Sequence, residues 1–118
     1  MSMWQRVPTV ARRTLAALPQ TRLATQTART FTADRLRILA FHGVDDLPAF
    51  ERLLRTTTQQ YTPVSADQVV SWLHRGYSLP RYPVWFTFDD GLPSTFDAGG
   101  MLEEFGISAT AFVCPSTV

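Results

Sequence analysis

Val84-Trp85-Phe86-Thr87-Phe88-Asp89-Asp90-Gly91 is the stretch on which the reading of this chain turns. Its first five residues carry hydrophobic β-branched or aromatic side chains, or threonine, the types that pack best on a pleated, buried surface. They predict a strand that ends at two adjacent carboxylates and a glycine. Beyond it, Ala98, Met101, Leu102 and Phe105 recur at i, i+3, i+4 and i+7, which predicts a helix from about Ser94 that Gly106 stops. Ile107–Val113 reads as the next strand. Strand, three-turn helix, strand is a βαβ unit, so the two strands should run parallel with a right-handed crossover.

Upstream, Arg37-Ile38-Leu39-Ala40-Phe41-His42 is a short apolar run ending in a polar residue and stopped by Gly43, as in a buried strand. Asp45 or Asp46 can cap the helix that follows, and Phe50, Leu53 and Leu54 mark one face of it over about residues 47–60. Tyr61–Val64 is a short extended piece. Ser65 and Gln68 have capping-box spacing, each able to satisfy a free N–H of the other. Ala66, Val69, Val70 and Leu73 then line a helical face that Gly76 closes. The order β–α–(short β)–α–β–α–β means an α/β fold. A closed (β/α) barrel takes about 250 residues. The expectation is therefore an incomplete barrel, truncated after about three parallel strands, with Ile107–Val113 as an uncovered edge.

Composition sets outer limits. The chain has 118 residues, 45% of them hydrophobic, which argues against disorder throughout. A net charge of +1 gives no case for a nucleic-acid partner. No apolar run approaches the ~20 residues of a membrane span. One cysteine excludes an internal disulfide framework, and two histidines exclude a histidine-rich metal site.

Charge is unevenly placed. Residues 1–33 hold five arginines and no acid, whereas residues 34–118 hold six arginines and all ten acids. The split predicts a basic N-terminal arm or short helix over 1–33 and an α/β domain over 34–118. Three readings of the first segment compete. A secretory signal needs a longer apolar core than Thr14–Leu18 provides. A mitochondrial-type transit peptide fits the Arg-rich, Thr-rich, acid-poor composition. A basic surface helix fits Ala11, Leu15 and Leu18 at i, i+4 and i+7. Without a clear signal peptide, a cytoplasmic or a cell-envelope location both stay open.

Asp89 and Asp90 are the informative pair. Adjacent carboxylates at the end of a buried strand repel each other, and desolvation disfavours charge on the more buried one. In α/β folds the C-terminal ends of parallel strands carry the sites. In a functional reading one carboxylate binds a metal and the other takes a proton from water. In a structural reading Asp89 caps the turn and Asp90 caps the next helix.

Four elements occur in order: Ile38–Val44 (I-L-A-F-H-G-V), Tyr61–Val64 (Y-T-P-V), Val84–Gly91 (V-W-F-T-F-D-D-G) and Gly106–Val113 (G-I-S-A-T-A-F-V). Together they resemble the N-terminal part of polysaccharide deacetylases, the NodB-homology or carbohydrate esterase family 4 domain. The resemblance spans roughly Arg37 to Val118. It implies a distorted (β/α) barrel that removes acetyl groups from N-acetylated carbohydrate, a hydrolysis of carbon–nitrogen, non-peptide bonds. It also implies a divalent metal, often zinc, held by an aspartate and two histidines. By position Asp89 corresponds to the general base and Asp90 to the metal ligand. His42, ending the first strand, is expected at the mouth of the site, with a structural role the stronger reading.

The chain departs from the family pattern downstream. The family's H-x-x-x-H pair comes well after its F-D-D-G element, and here only 28 residues follow Asp90. His42 and His74 are 32 apart. Two of three metal ligands are thus missing, and one carboxylate does not hold zinc against water. The expectation is a chain inactive alone, needing the missing C-terminal half or another chain. The alternative is a non-catalytic gene product or a carbohydrate-binding or interaction module. A nucleotide-binding reading fails, because Asp89-Asp90-Gly91-Leu92-Pro93 puts acids and a proline where a phosphate loop needs free N–H groups. Cys114, Met101 and Trp85 read as core. Trp72 is open between core and sugar stacking. His74, beside Arg75 at a helix end, receives no site role.

Overall fold

A computed structural model of the chain describes residues 22–89, 91 and 93–116. Its elements are α1 (Arg22–Phe31), β1 (Arg37–Phe41), α2 (Leu47–Gln60), β2 (Thr62–Pro63), α3 (Ala66–Arg75), β3 (Pro83–Asp89), α4 (Pro93–Glu104) and β4 (Thr110–Phe112). The described residues fall into two units divided between Phe31 and Thr32, α1 in the first and the remaining elements in the second. The expected helix around Ala11, Leu15 and Leu18 lies outside the described residues. α1 is a helix that apolar spacing did not single out, because threonine and alanine dominate it. Two threonines turn their hydroxyls inward: Thr27 Oγ1 donates to Leu23 C=O at 2.8 Å and Thr30 Oγ1 to Gln26 C=O at 2.9 Å.

The larger unit is built on β3. β1 runs parallel along one edge, from Arg37↔Val84 to Phe41↔Phe88. The other edge of β3 is shared by two short parallel strands. β2 pairs at its start (Pro63↔Val84) and β4 at its end (Asp89↔Phe112). The predicted seven-residue strand at 107–113 thus pairs over only three residues. The reason is the helix end before it. Gly106 (φ +66°) donates to Glu103 C=O and Ile107 N–H to Leu102 C=O, both at 2.9 Å, a Schellman closure that holds Ile107 in the core.

The other helix ends follow the sequence signals. Asp46 caps α2 by accepting from Ala49 N–H at 3.0 Å. Ser65 and Gln68 form both bonds of the capping box. Gly76 closes α3 with a left-handed φ of +70°.

Alternation along β3 sorts the molecule into two faces. Val84, Phe86 and Phe88 point into a core with Phe50 and Leu54 of α2, Ala98 and Leu102 of α4, Val44 and Ile107. Phe41 completes it: its ring stacks on Phe88 at 5.2 Å and meets Phe50 edge-on at 5.5 Å. Fully burying a valine, leucine, isoleucine or phenylalanine side chain contributes about 1.5–3 kcal/mol. Trp85, Thr87 and Asp89 fall on the opposite face, level with Ile38, Ala40, Thr110 and Phe112. There Ile38 is 55% and Phe112 51% exposed.

Three expectations are corrected here. β1 is half-buried on one face and exposed on the other, because α2 and α4 both pack against the same side of the sheet. On α3 only Val69 is buried, while Val70 and Leu73 face solvent. Trp85 is half-buried rather than core, and its indole N–H donates to Thr110 Oγ1 at 3.0 Å.

Candidate active site

Parallel pairing brings the C-terminal ends of β1, β3 and β4 to one rim. Asp89 is the last residue of β3, half-buried and in register with Phe112. His42 is the first residue past β1, whose Phe41 pairs with Phe88, so His42 leaves the sheet at the level of Asp89. It is exposed. Asp90, the other carboxylate singled out, lies outside the described residues.

Local geometry explains why the chain turns here. Gly91 N–H donates back to Asp89 C=O at 2.9 Å, and Gly91 has φ +62°. A side chain in that conformation is strained, and a Cβ there would also stand 3.0 Å from Val113 Cγ1. The glycine of the F-D-D-G element is therefore needed both for its backbone angle and for the approach of the segment after β4.

Sequence reasoning missed one residue of the rim. Ser94, in the first turn of α4, accepts from Val44 N–H through its Oγ at 3.2 Å. This bond ties the loop carrying His42 to the segment just past Asp89–Gly91. Serine near a helix start is a visible signal, but it suggests a local cap. A partner 50 residues away leaves no mark in spacing. Beside it, Thr95 Oγ1 is buried with no hydrogen-bond partner among the described residues. A shallow cleft of about 220 Å³ adjoins the same loop, lined by Val44, Asp45, Asp46, Phe50 and Leu53, and excludes Asp89.

The remaining residues of interest lie apart. His74, in the last turn of α3, precedes the connection that enters β3 at the end remote from Asp89. Cys114 is exposed, not the buried small hydrophobe expected, and its Sγ lies 3.1 Å from Ser116 Oγ. Its segment has already left the sheet at Phe112. Trp72 is 38% exposed, on α3. Among the described residues no three His, Cys, Asp or Glu side chains gather as a metal cage. One carboxylate and one exposed imidazole fall short of the three or four protein ligands of a zinc site. The described donors alone do not fit that ion. No described helix is long and apolar enough to cross a membrane.

No protein-family model and no curated protein matches the chain. Among solved structures it is similar to a de-N-acetylase from Aggregatibacter actinomycetemcomitans, with a TM-score of 0.60 and 22% sequence identity. The match covers 66% of this chain and 37% of that one, so the chain spans well under half the length of that enzyme. The parallel sheet and its helices thus form an α/β fold similar to part of that de-N-acetylase, over about two thirds of the sequence.

Proposed function

We propose that residues 34–118 are the first part of a metal-dependent hydrolase domain that deacetylates N-acetylated carbohydrate. The observation that carries this reading is the position of Asp89. It ends the central strand of a parallel sheet, at the rim where α/β folds do chemistry, in a chain folded like a de-N-acetylase.

Asp89 is assigned as general base. Its carboxylate takes the proton of a water as that oxygen bonds to the acetyl carbonyl carbon. The carbon–nitrogen bond then breaks, the amine takes a proton and acetate leaves. Asp90 is assigned as one ligand of a divalent cation, zinc by family resemblance, and His42 as a residue of the site's mouth. When bound, such an ion polarises the amide oxygen. Its further ligands are assigned to sequence outside residues 1–118, since His42 and His74 are the only histidines here. On this reading the 118-residue chain is inactive by itself and completes an incomplete barrel with a C-terminal part or a partner chain.

The test starts with the coding DNA past codon 118. The expected result is an H-x-x-x-H element whose full product releases acetate from an N-acetylated oligosaccharide supplied with zinc. If the full product releases none, the hydrolase reading falls and the chain is a non-catalytic module.

A further inference from the structure

We infer that Phe112 is the platform on which a sugar ring of the substrate rests beside Asp89. This role rests on the hydrolase reading, which supplies a carbohydrate and a base but no seat for the ring. Phe112 and Asp89 are register partners on adjacent parallel strands. Such neighbours stand about 4.8 Å apart and point to the same side of the sheet. A group lying on the Phe112 ring is therefore next to the proposed base.

Phe112 is positioned and yet open. Its ring meets that of Trp85 at 6.3 Å, tilted by 72°. Trp85 is itself oriented, because its indole N–H donates to Thr110 Oγ1 at 3.0 Å. On the other side, Val113 lies close against the turn at Gly91. A side chain placed in this way has little freedom left to lose when a ligand covers it. Phe112 is nonetheless 51% exposed and lies outside the core cluster.

The pairing of an open aromatic ring with a carboxylate selects the occupant. A pyranose has a face of C–H bonds and an edge of polar substituents. The π-system of Phe112 is negative on its face, which attracts the weakly positive hydrogens of the C–H face. The edge of an N-acetylated sugar carries the acetamido group, and Asp89 stands at the edge of the platform. A wholly apolar ligand would instead strip water from that carboxylate without replacing its hydrogen bonds. Trp72, the other candidate for sugar stacking, is on α3 and not at this rim.

The experiment titrates the 118-residue chain with tetra-N-acetylchitotetraose and follows the Phe112 ring and the Trp85 indole N–H by NMR. The parent should show saturable shifts at both, which maps the site without any variant. Phe112→Leu keeps apolar bulk but removes the ring, and should weaken binding about tenfold. Phe112→Tyr keeps the ring and should bind like the parent, as should Trp72→Ala. All three should retain the parent's urea midpoint, since none touches the core cluster. A parent without shifts at Phe112 up to the solubility of the sugar overturns the inference, as does a Phe112→Leu variant that binds like the parent. Loss of binding in Trp72→Ala but not in Phe112→Leu places the sugar on α3 and overturns it too. The hydrolase reading fails separately. Binding through Phe112, with no acetate released by the full product, keeps the platform and removes the hydrolysis. Acetate release whose KM and kcat are unchanged by Phe112→Leu keeps the hydrolysis and removes the platform.

Discussion

Asp89 and Gly91 do separable work at the same turn, and substitution should separate them. Asp89 is half-buried at the rim, and no packing in the core depends on its charge. Asp89→Asn is nearly isosteric, removes the proposed base and, on the proposed function, should lower kcat for acetate release by about 10²–10⁴ while leaving the urea midpoint of unfolding close to the parent's. A variant with unchanged acetate release would remove Asp89 from the proposed role. Gly91→Ala should do the reverse. Its φ of +62° and the 3.0 Å approach to Val113 Cγ1 both penalise a side chain. A left-handed backbone costs a non-glycine residue about 1–2 kcal/mol, so the unfolding free energy from urea titration should fall by that amount. The Asp-Asp-Gly spacing already separated these duties, because two carboxylates and one turn residue have different chemistry. The bond from Val44 N–H to Ser94 Oγ was not legible, since it depends on where two distant loops meet in space.

At the scale of elements, α4 is the least well-suited sequence in the fold. Gly99 and Gly100 sit in its middle, and a Cβ at either would meet no atom within 4 Å. Nothing in the packing requires glycine there, so each weakens the helix through backbone entropy alone. Gly99→Ala and Gly100→Ala should each stabilise the chain by about 0.5–1 kcal/mol, read as a rise in thermal midpoint. α3 is the opposite case, with both helix ends specified locally. Ser65→Ala removes one bond of the capping box, leaving Gln68 N–H without its acceptor, while the bond from the residue-65 N–H to Gln68 Oε1 stays. The expected loss is about 1 kcal/mol by urea titration. These caps were readable because each is made within six residues of sequence. The burial of α3 was not readable, because Ala66, Val69, Val70 and Leu73 supply a helical stripe whether or not anything packs on all of it. Only Val69 is covered.

For the whole molecule, the central strand was legible and the arrangement around it less so. Val84–Phe88 announces a strand through residue type alone, and hydrophobic residues on both faces suggest two covering layers. Among the described residues α2 and α4 cover the face bearing Phe86 and Phe88; on the other face Thr87 is buried within the sheet while Ile38 and Phe112 are exposed. The length of β4 was also overread, because Ile107 looks like strand but serves the end of α4. Stability should follow this layout rather than strand propensity. β3 is bonded on both edges, by β1 along five residues and by β2 and β4 in succession. Amides of Phe86 and Phe88 should therefore exchange with solvent only through global unfolding. β4 has three paired residues, two of them exposed, and its outer edge has no partner among the described residues. Its amides should exchange through local opening, at rates insensitive to Leu54→Ala. That substitution empties a fully buried site in α2 and should cost about 2–5 kcal/mol globally. Exchange at Phe86 and Phe88 should speed up by the full amount of that loss. Equal acceleration at Ala111 and Phe112 would mean that β4 and the core open together, and that the rim bearing Asp89 is as firmly held as the strand that carries it.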